Sequence, residues 1–92
     1  QIIVPTAGNE NNDLQLIEGI GPAIEKLLNK HDINSYVDII AAGVSGLEEI
    51  LEAGGSRFKI HVPTTWPDQA RLANNQKWSE LEEYQDILKA GK

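Results

Sequence analysis

Two glycines bracket a single isoleucine in the stretch LQLIEGIGPAIEKLL, residues 14–28, and this segment constrains the fold more than any other. Glycine takes up backbone conformations that a Cβ forbids and lets other groups approach the chain closely, so Gly19 and Gly21 mark a tight turn at 18–21. Pro22 follows at a position suited to the first residue of a helix, where the missing N–H is no loss. Ahead of the turn, Asp13 is a good N-cap, and Leu14 and Ile17 share one helical face. Behind it, Ile24, Leu27 and Leu28 form an apolar stripe running to about Lys30. The segment therefore reads as two short helices joined by a turn, with Ile20 facing inward as its anchor. The second helix starts beside Gly21, so its unpaired amides face outward, where an anion can be held.

The rest of the chain repeats this grammar of caps and stops. Ser35 caps a third helix that carries Tyr36, Val37, Ile39 and Ile40 and stops at Gly43. Ser45 caps a fourth, with Glu48 in the capping-box position, a stripe of Leu47, Ile50 and Leu51, and an end at Gly54–Gly55. Phe58, Ile60 and Val62 alternate with Arg57, Lys59 and His61, a strand-like period. No partner strand exists, so the expectation there is an extended connector or a short helical turn packed on the core. Thr64 or Thr65 caps a fifth helix with Trp66, Ala70, Leu72 and Ala73 inward, broken at Asn74–Asn75. A sixth runs from about Lys77 to Lys89 with Trp78, Leu81, Tyr84, Gln85 and Leu88 at helical spacing. The expected fold is all-α, a compact domain of five or six short helices over residues 13–90, with residues 1–12 a flexible arm. Ninety-two residues leave no room for a second core.

Composition removes several function classes. With no cysteine there is no disulfide, thiolate nucleophile or zinc–sulfur site, and the lack fits a reducing, cytoplasmic setting. His31 and His61 are too few and too far apart to suggest a metal cluster. No apolar run approaches the roughly 20 residues of a membrane span, so no membrane contact by this chain is expected. No basic start precedes an apolar stretch, as a secretory signal would require. The chain opens on Gln1 rather than Met, as expected of either a fragment or a processed product. The net charge of −6 opposes strong non-specific nucleic-acid binding. Residues 56–78 stand apart, carrying Arg57, Lys59, Arg71 and Lys77 against Asp68 alone. That segment reads as ordinary alternation on solvated helix faces or as a small phosphate- or partner-facing basic patch.

The Ile17, Gly19, Ile20, Gly21, Pro22 and Leu28 pattern resembles the helix-hairpin-helix motif of DNA-binding and repair proteins. Ser35–Leu51 looks like the connector and second, partly degenerate half of a tandem helix-hairpin-helix unit. RFKIHVPTTWPD, residues 57–68, and Trp78–Leu88 are similar to a bacterial family of flap-endonuclease-like helix-three-turn-helix proteins. The resemblance implies phosphate contact at the amides around Gly19, Ile20, Gly21 and Ala23, and a monovalent cation at the hairpin carbonyls. DNA-binding versions often place Lys or Arg where this chain has Ala23, and a small residue where it has Glu25. Glu18 beside the turn would repel phosphate, which leaves Lys26 and Lys30 to compensate and implies weak, sequence-independent duplex binding. The alternative is a protein-interaction or scaffold domain of a larger bacterial protein.

Catalysis is not expected. The acids at Glu48, Glu49 and Glu52, and at Glu80, Glu82, Glu83 and Asp86, read as solvated helix faces with no partner across the chain. No nucleophile elbow or phosphate loop is present. His61 reads as a connector residue rather than a base, and Trp66 and Trp78 as core plugs rather than base-stacking platforms.

Overall fold

A computed structural model describes residues 13–90. The arm expected at residues 1–12 lies outside them. Among the described residues the chain is helical with no strand: a 3-10 turn Leu14–Leu16, then α1 Pro22–Lys30, α2 Tyr36–Ala53, α3 Ser56–Lys59, α4 Trp66–Asn74 and α5 Trp78–Ala90.

Asp13 and Ser35 cap as their sequence suggests, whereas Thr65 takes the N-cap position of α4 without a side-chain capping bond. Asp13 Oδ1 accepts from the Gln15 N–H at 3.0 Å and Ser35 Oγ from the Asp38 N–H at 3.1 Å. The core is one cluster. Leu14, Ile17, Ile20, Ile24 and Leu28 enter it from the hairpin, Tyr36, Ile39, Leu47 and Leu51 from α2, and Trp66, Ala70 and Ala73 from α4. α4 lies along α2 in the largest interface between elements, and α5 packs on α4 through buried Leu81. Tyr36 is buried at the start of α2, where its hydroxyl donates to the Asp13 carbonyl at 2.9 Å and ties α2 to the start of the hairpin.

Three expectations need correction. Gly43 does break the third helix, with φ 68° and ψ 178°. The expected third and fourth helices are therefore two stretches that meet at Gly43 without a loop, and Ser45 lies in the first turn of the second stretch rather than capping it. The alternating segment takes one of its two expected forms, a short helical turn, α3, with Phe58 against the core, while Ile60 and Val62 are 77% and 67% exposed. α3 ends at Lys59, so Ile60 and Val62 lie beyond it and the apolar alternation never spans one element with a shared buried side. Trp66 is the expected core plug, whereas Trp78, the first residue of α5, is 38% exposed. Leu72 and Leu88 are only half-buried, and the inner face of α4 is completed by Pro67 and Gln69 instead.

Candidate functional site

The hairpin turn is a hydrogen-bonded reversal from Ile17 to Ile20, closed by the Ile20 N–H donating to the Ile17 carbonyl at 3.0 Å. Gly19 occupies the third position of this turn at φ 106°, where a type II turn demands a positive φ. Packing demands glycine there as well. A Cβ on Gly19 would stand 2.8 Å from Trp66 Nε1. Gly21 is different. It is the N-cap of α1 in extended conformation, φ −103° and ψ −173°, makes no side-chain cap, and a Cβ there would meet nothing within 4 Å. Pro22 has no N–H, and the first amide of α1 to find a helical acceptor is that of Glu25, which donates to the Gly21 carbonyl at 2.9 Å. The N–H groups of Ala23 and Ile24 therefore project from an uncapped helix start.

A side chain from 51 residues away holds the turn. Gln69, fully buried on α4, pairs with the main chain of Glu18. Its Oε1 accepts from the Glu18 N–H at 2.7 Å and its Nε2 donates to the Glu18 carbonyl at 3.2 Å. Nε2 also donates to Thr65 Oγ1 at 3.1 Å. Gln85 on α5 donates through Nε2 to Gln69 Oε1 and to the Leu16 carbonyl, both at 2.8 Å. No buried side-chain nitrogen or oxygen among the described residues is left without a partner.

A shallow groove of about 340 Å³ lies against the helix start, lined by Gly19, Gly21, Ala23, Arg57, Phe58 and His61 among others. The exposed guanidinium of Arg57 sits 5.0 Å above the Phe58 ring and belongs to no ion pair among the described residues. An uncapped helix start beside an unpaired guanidinium is chemically suited to an oxyanion such as a phosphate.

Not every expected site residue falls here. Gly19, Gly21 and Ala23 line the groove, but the Ile20 side chain is buried and its amide is spent inside the turn. Lys26 and Lys30 are exposed on α1 without lining the groove. The four cations of residues 56–78 do not form one patch. Lys59 lines a separate concavity with Glu48 and Glu52. Arg71 pairs with Asp68 at 2.8 Å and Lys77 with Glu80 at 4.0 Å, and both line a cleft between α4 and α5. Continuity in sequence is lost in space because α3 ends beside the hairpin while the C-terminal part of α4 turns toward α5. Gln69 escapes sequence reasoning, and Gln85 enters it only as one of the helically spaced residues of the last helix. A glutamine in a helix carries no local signal, and only the fold reveals its partner.

The RS2/RL21/YNQ2 HHH domain, a helix-hairpin-helix family, matches residues 14–74. The chain belongs to this family. No curated protein and no solved structure matches it significantly. The matched segment runs from the 3-10 turn through α4 and contains the hairpin, the groove and Gln69, while α5 lies beyond it. Membership in an HHH family supports a binding module for nucleic acid or protein. Among the described residues no three histidine or acidic side chains converge where they could hold a metal ion. None of the described helices is long and apolar enough to cross a membrane.

Proposed function

We propose that this HHH domain binds duplex DNA weakly and without reading its sequence, as a non-catalytic, cytoplasmic module of a larger bacterial protein. The observation that carries the reading is Gly21. Neither its backbone angles nor its packing requires glycine, and what its missing side chain provides is an open approach to the amides of Ala23 and Ile24. A phosphodiester placed there accepts from those amides and meets the positive end of α1, while the Arg57 guanidinium supplies the charge that Ala23 lacks. All of these contacts are to the backbone of DNA, which positions a protein on a duplex without specifying a base. The carbonyls of Ile17 and Gly21 each accept one hydrogen bond already and keep a second lone pair. A monovalent cation would share those lone pairs, and duplex affinity would then rise when potassium replaces a bulky organic cation at constant ionic strength.

The test is an amide-resolved NMR titration of the chain with a short duplex, at low and then near-physiological salt. Shifts concentrated at Gly21–Ile24 and Arg57 that persist at the higher salt are expected. Diffuse shifts that vanish with salt would overturn the reading. The non-catalytic part is tested with nicked and flap duplexes in magnesium or manganese, where carboxylate-dependent cleavage would overturn it. The exposure of Ile60 and Val62 beside the hairpin favours a second reading, a protein-interaction or scaffold domain. That reading gains support if the hairpin amides ignore DNA and the chain captures a protein partner that Ile60→Asp releases.

A further inference from the structure

Gln85 stands on a helix outside the family segment, yet it bonds the hairpin directly at Leu16 and also the α4 side chain that holds the turn. Its Nε2 can only donate, so whatever faces it must be an acceptor. One such acceptor is the Leu16 carbonyl, immediately before the turn, and the other is Gln69 Oε1. A glutamine amide has two nearly isosteric orientations, and only one of them serves the hairpin. With Oε1 toward Glu18 the amide accepts from the Glu18 N–H and donates to the Glu18 carbonyl. Turned over, it would set its NH2 against two donors, the Glu18 N–H and Gln85 Nε2. The Thr65 hydroxyl does not discriminate, because a hydroxyl donates or accepts as needed.

We infer that Gln69 and Gln85 are the positioning residues of the hairpin, and that α5 is therefore part of the binding unit. Gln85 fixes the orientation of the Gln69 amide. Gln69 clamps the main chain of Glu18, the residue before Gly19. The turn so held aims the start of α1 at the groove. Neither side chain touches the proposed phosphate, and both act through the backbone of the turn. The consequence for affinity rests on the DNA-binding reading above, whereas the consequence for hairpin geometry does not.

The experiment uses the full 92-residue chain with Gln85→Met, which keeps length and helix propensity but removes the donor, and Gln85→Lys, which restores one. Amide chemical shifts and hydrogen-exchange rates are read across residues 17–24, alongside thermal stability and duplex affinity. For Gln85→Met the expected result is faster exchange at the Glu18 amide, shifts concentrated at Glu18–Ile24, and duplex binding weakened about twofold to tenfold, the worth of one neutral hydrogen bond. Gln85→Lys should return the hairpin amides toward their original positions. Unchanged hairpin amides in Gln85→Met would overturn the inference, as would changes spread evenly over α2 and α4 or a failure of Gln85→Lys to restore anything. If the amides respond as expected while the unaltered chain binds no duplex, the positioning role stands and the DNA reading alone falls.

Discussion

A methyl group on Gly19 would stand 2.8 Å from Trp66 Nε1, on a residue whose φ is already 106°. Neither partner has room to yield, because Trp66 is itself buried in the core. Gly19→Ala should therefore cost about 2–4 kcal/mol, the sum of left-handed strain and overpacking, measured by chemical denaturation. Gly21 should behave in the opposite way. Its extended backbone is the normal geometry of an N-cap, so Gly21→Ser should hold or raise stability by up to about 1 kcal/mol, the hydroxyl accepting from the Ala23 or Ile24 amide. That same bond takes the amide that a phosphate would use, so duplex affinity should fall while the melting temperature does not. A parallel loss of both would mean that Gly21 serves only the fold. In the sequence the two glycines are indistinguishable. Their spacing announces a turn, but the wall that makes Gly19 obligatory is Trp66, far along the chain, and no local pattern reports it. Gln69 was hidden for the same reason, since its partner Glu18 is 51 residues distant.

The helices themselves were legible because glycine, proline, caps and apolar spacing act within a few residues. The break in α2 illustrates both the reach and the limit of such signals. Gly43 stops the helix as its type suggests, but the packing of Ile39 on one side and Leu47 and Leu51 on the other restarts it without a loop. A capping Ser45 would lose about 1 kcal/mol on change to Ala, whereas a Ser45 inside a helix should lose nothing or gain a few tenths. Urea midpoints for Ser45→Ala decide between the two. Gly43→Ala should cost about 1–3 kcal/mol although a Cβ there meets nothing within 4 Å, because φ 68° with ψ 178° is essentially open to glycine alone. The bond from Tyr36 to Asp13 joins α2 to the hairpin, and the burial of Tyr36 there adds a pH dependence. Burial first, then the Asp13 carboxylate, push the Tyr36 hydroxyl up to about 12 from 10. The folded state thus keeps a proton that the unfolded chain releases. Stability from this group is complete below about pH 10 and is lost as pH rises toward 12, by up to about 2–3 kcal/mol. Tyr36→Phe should flatten that alkaline decline at a neutral-pH cost of about 1 kcal/mol, seen in denaturation midpoints from pH 8 to 12.

At the scale of the molecule, the question is how a chain of net charge −6 approaches a polyanion. The answer depends on which cations are free and which face the hairpin, and the linear sequence misplaces them. Arg71 and Lys77 belong to the basic segment, yet each is held by an acid on the α4–α5 side. Lys59 shares its concavity with Glu48 and Glu52. Arg57 lines the hairpin groove, and Lys26 and Lys30 stand exposed on the helix whose start forms one wall of it. Each phosphate neutralised contributes about 0.9 to the slope of log affinity against log salt. With Arg57, Lys26 and Lys30 available, the slope for duplex binding should be shallow, about 2–3. Arg57→Gln should reduce it by about 1, while Arg71→Gln and Lys77→Gln should leave it unchanged. The measurement is fluorescence anisotropy of a labelled duplex over a range of salt. A slope that falls with Arg71 or Lys77 and ignores Arg57 would move the DNA to the cleft between α4 and α5 and leave the hairpin as scaffold. A slope that answers to Arg57 alone would put one phosphate at the start of α1, where the acidic remainder of the domain repels the rest of the duplex and keeps the binding weak.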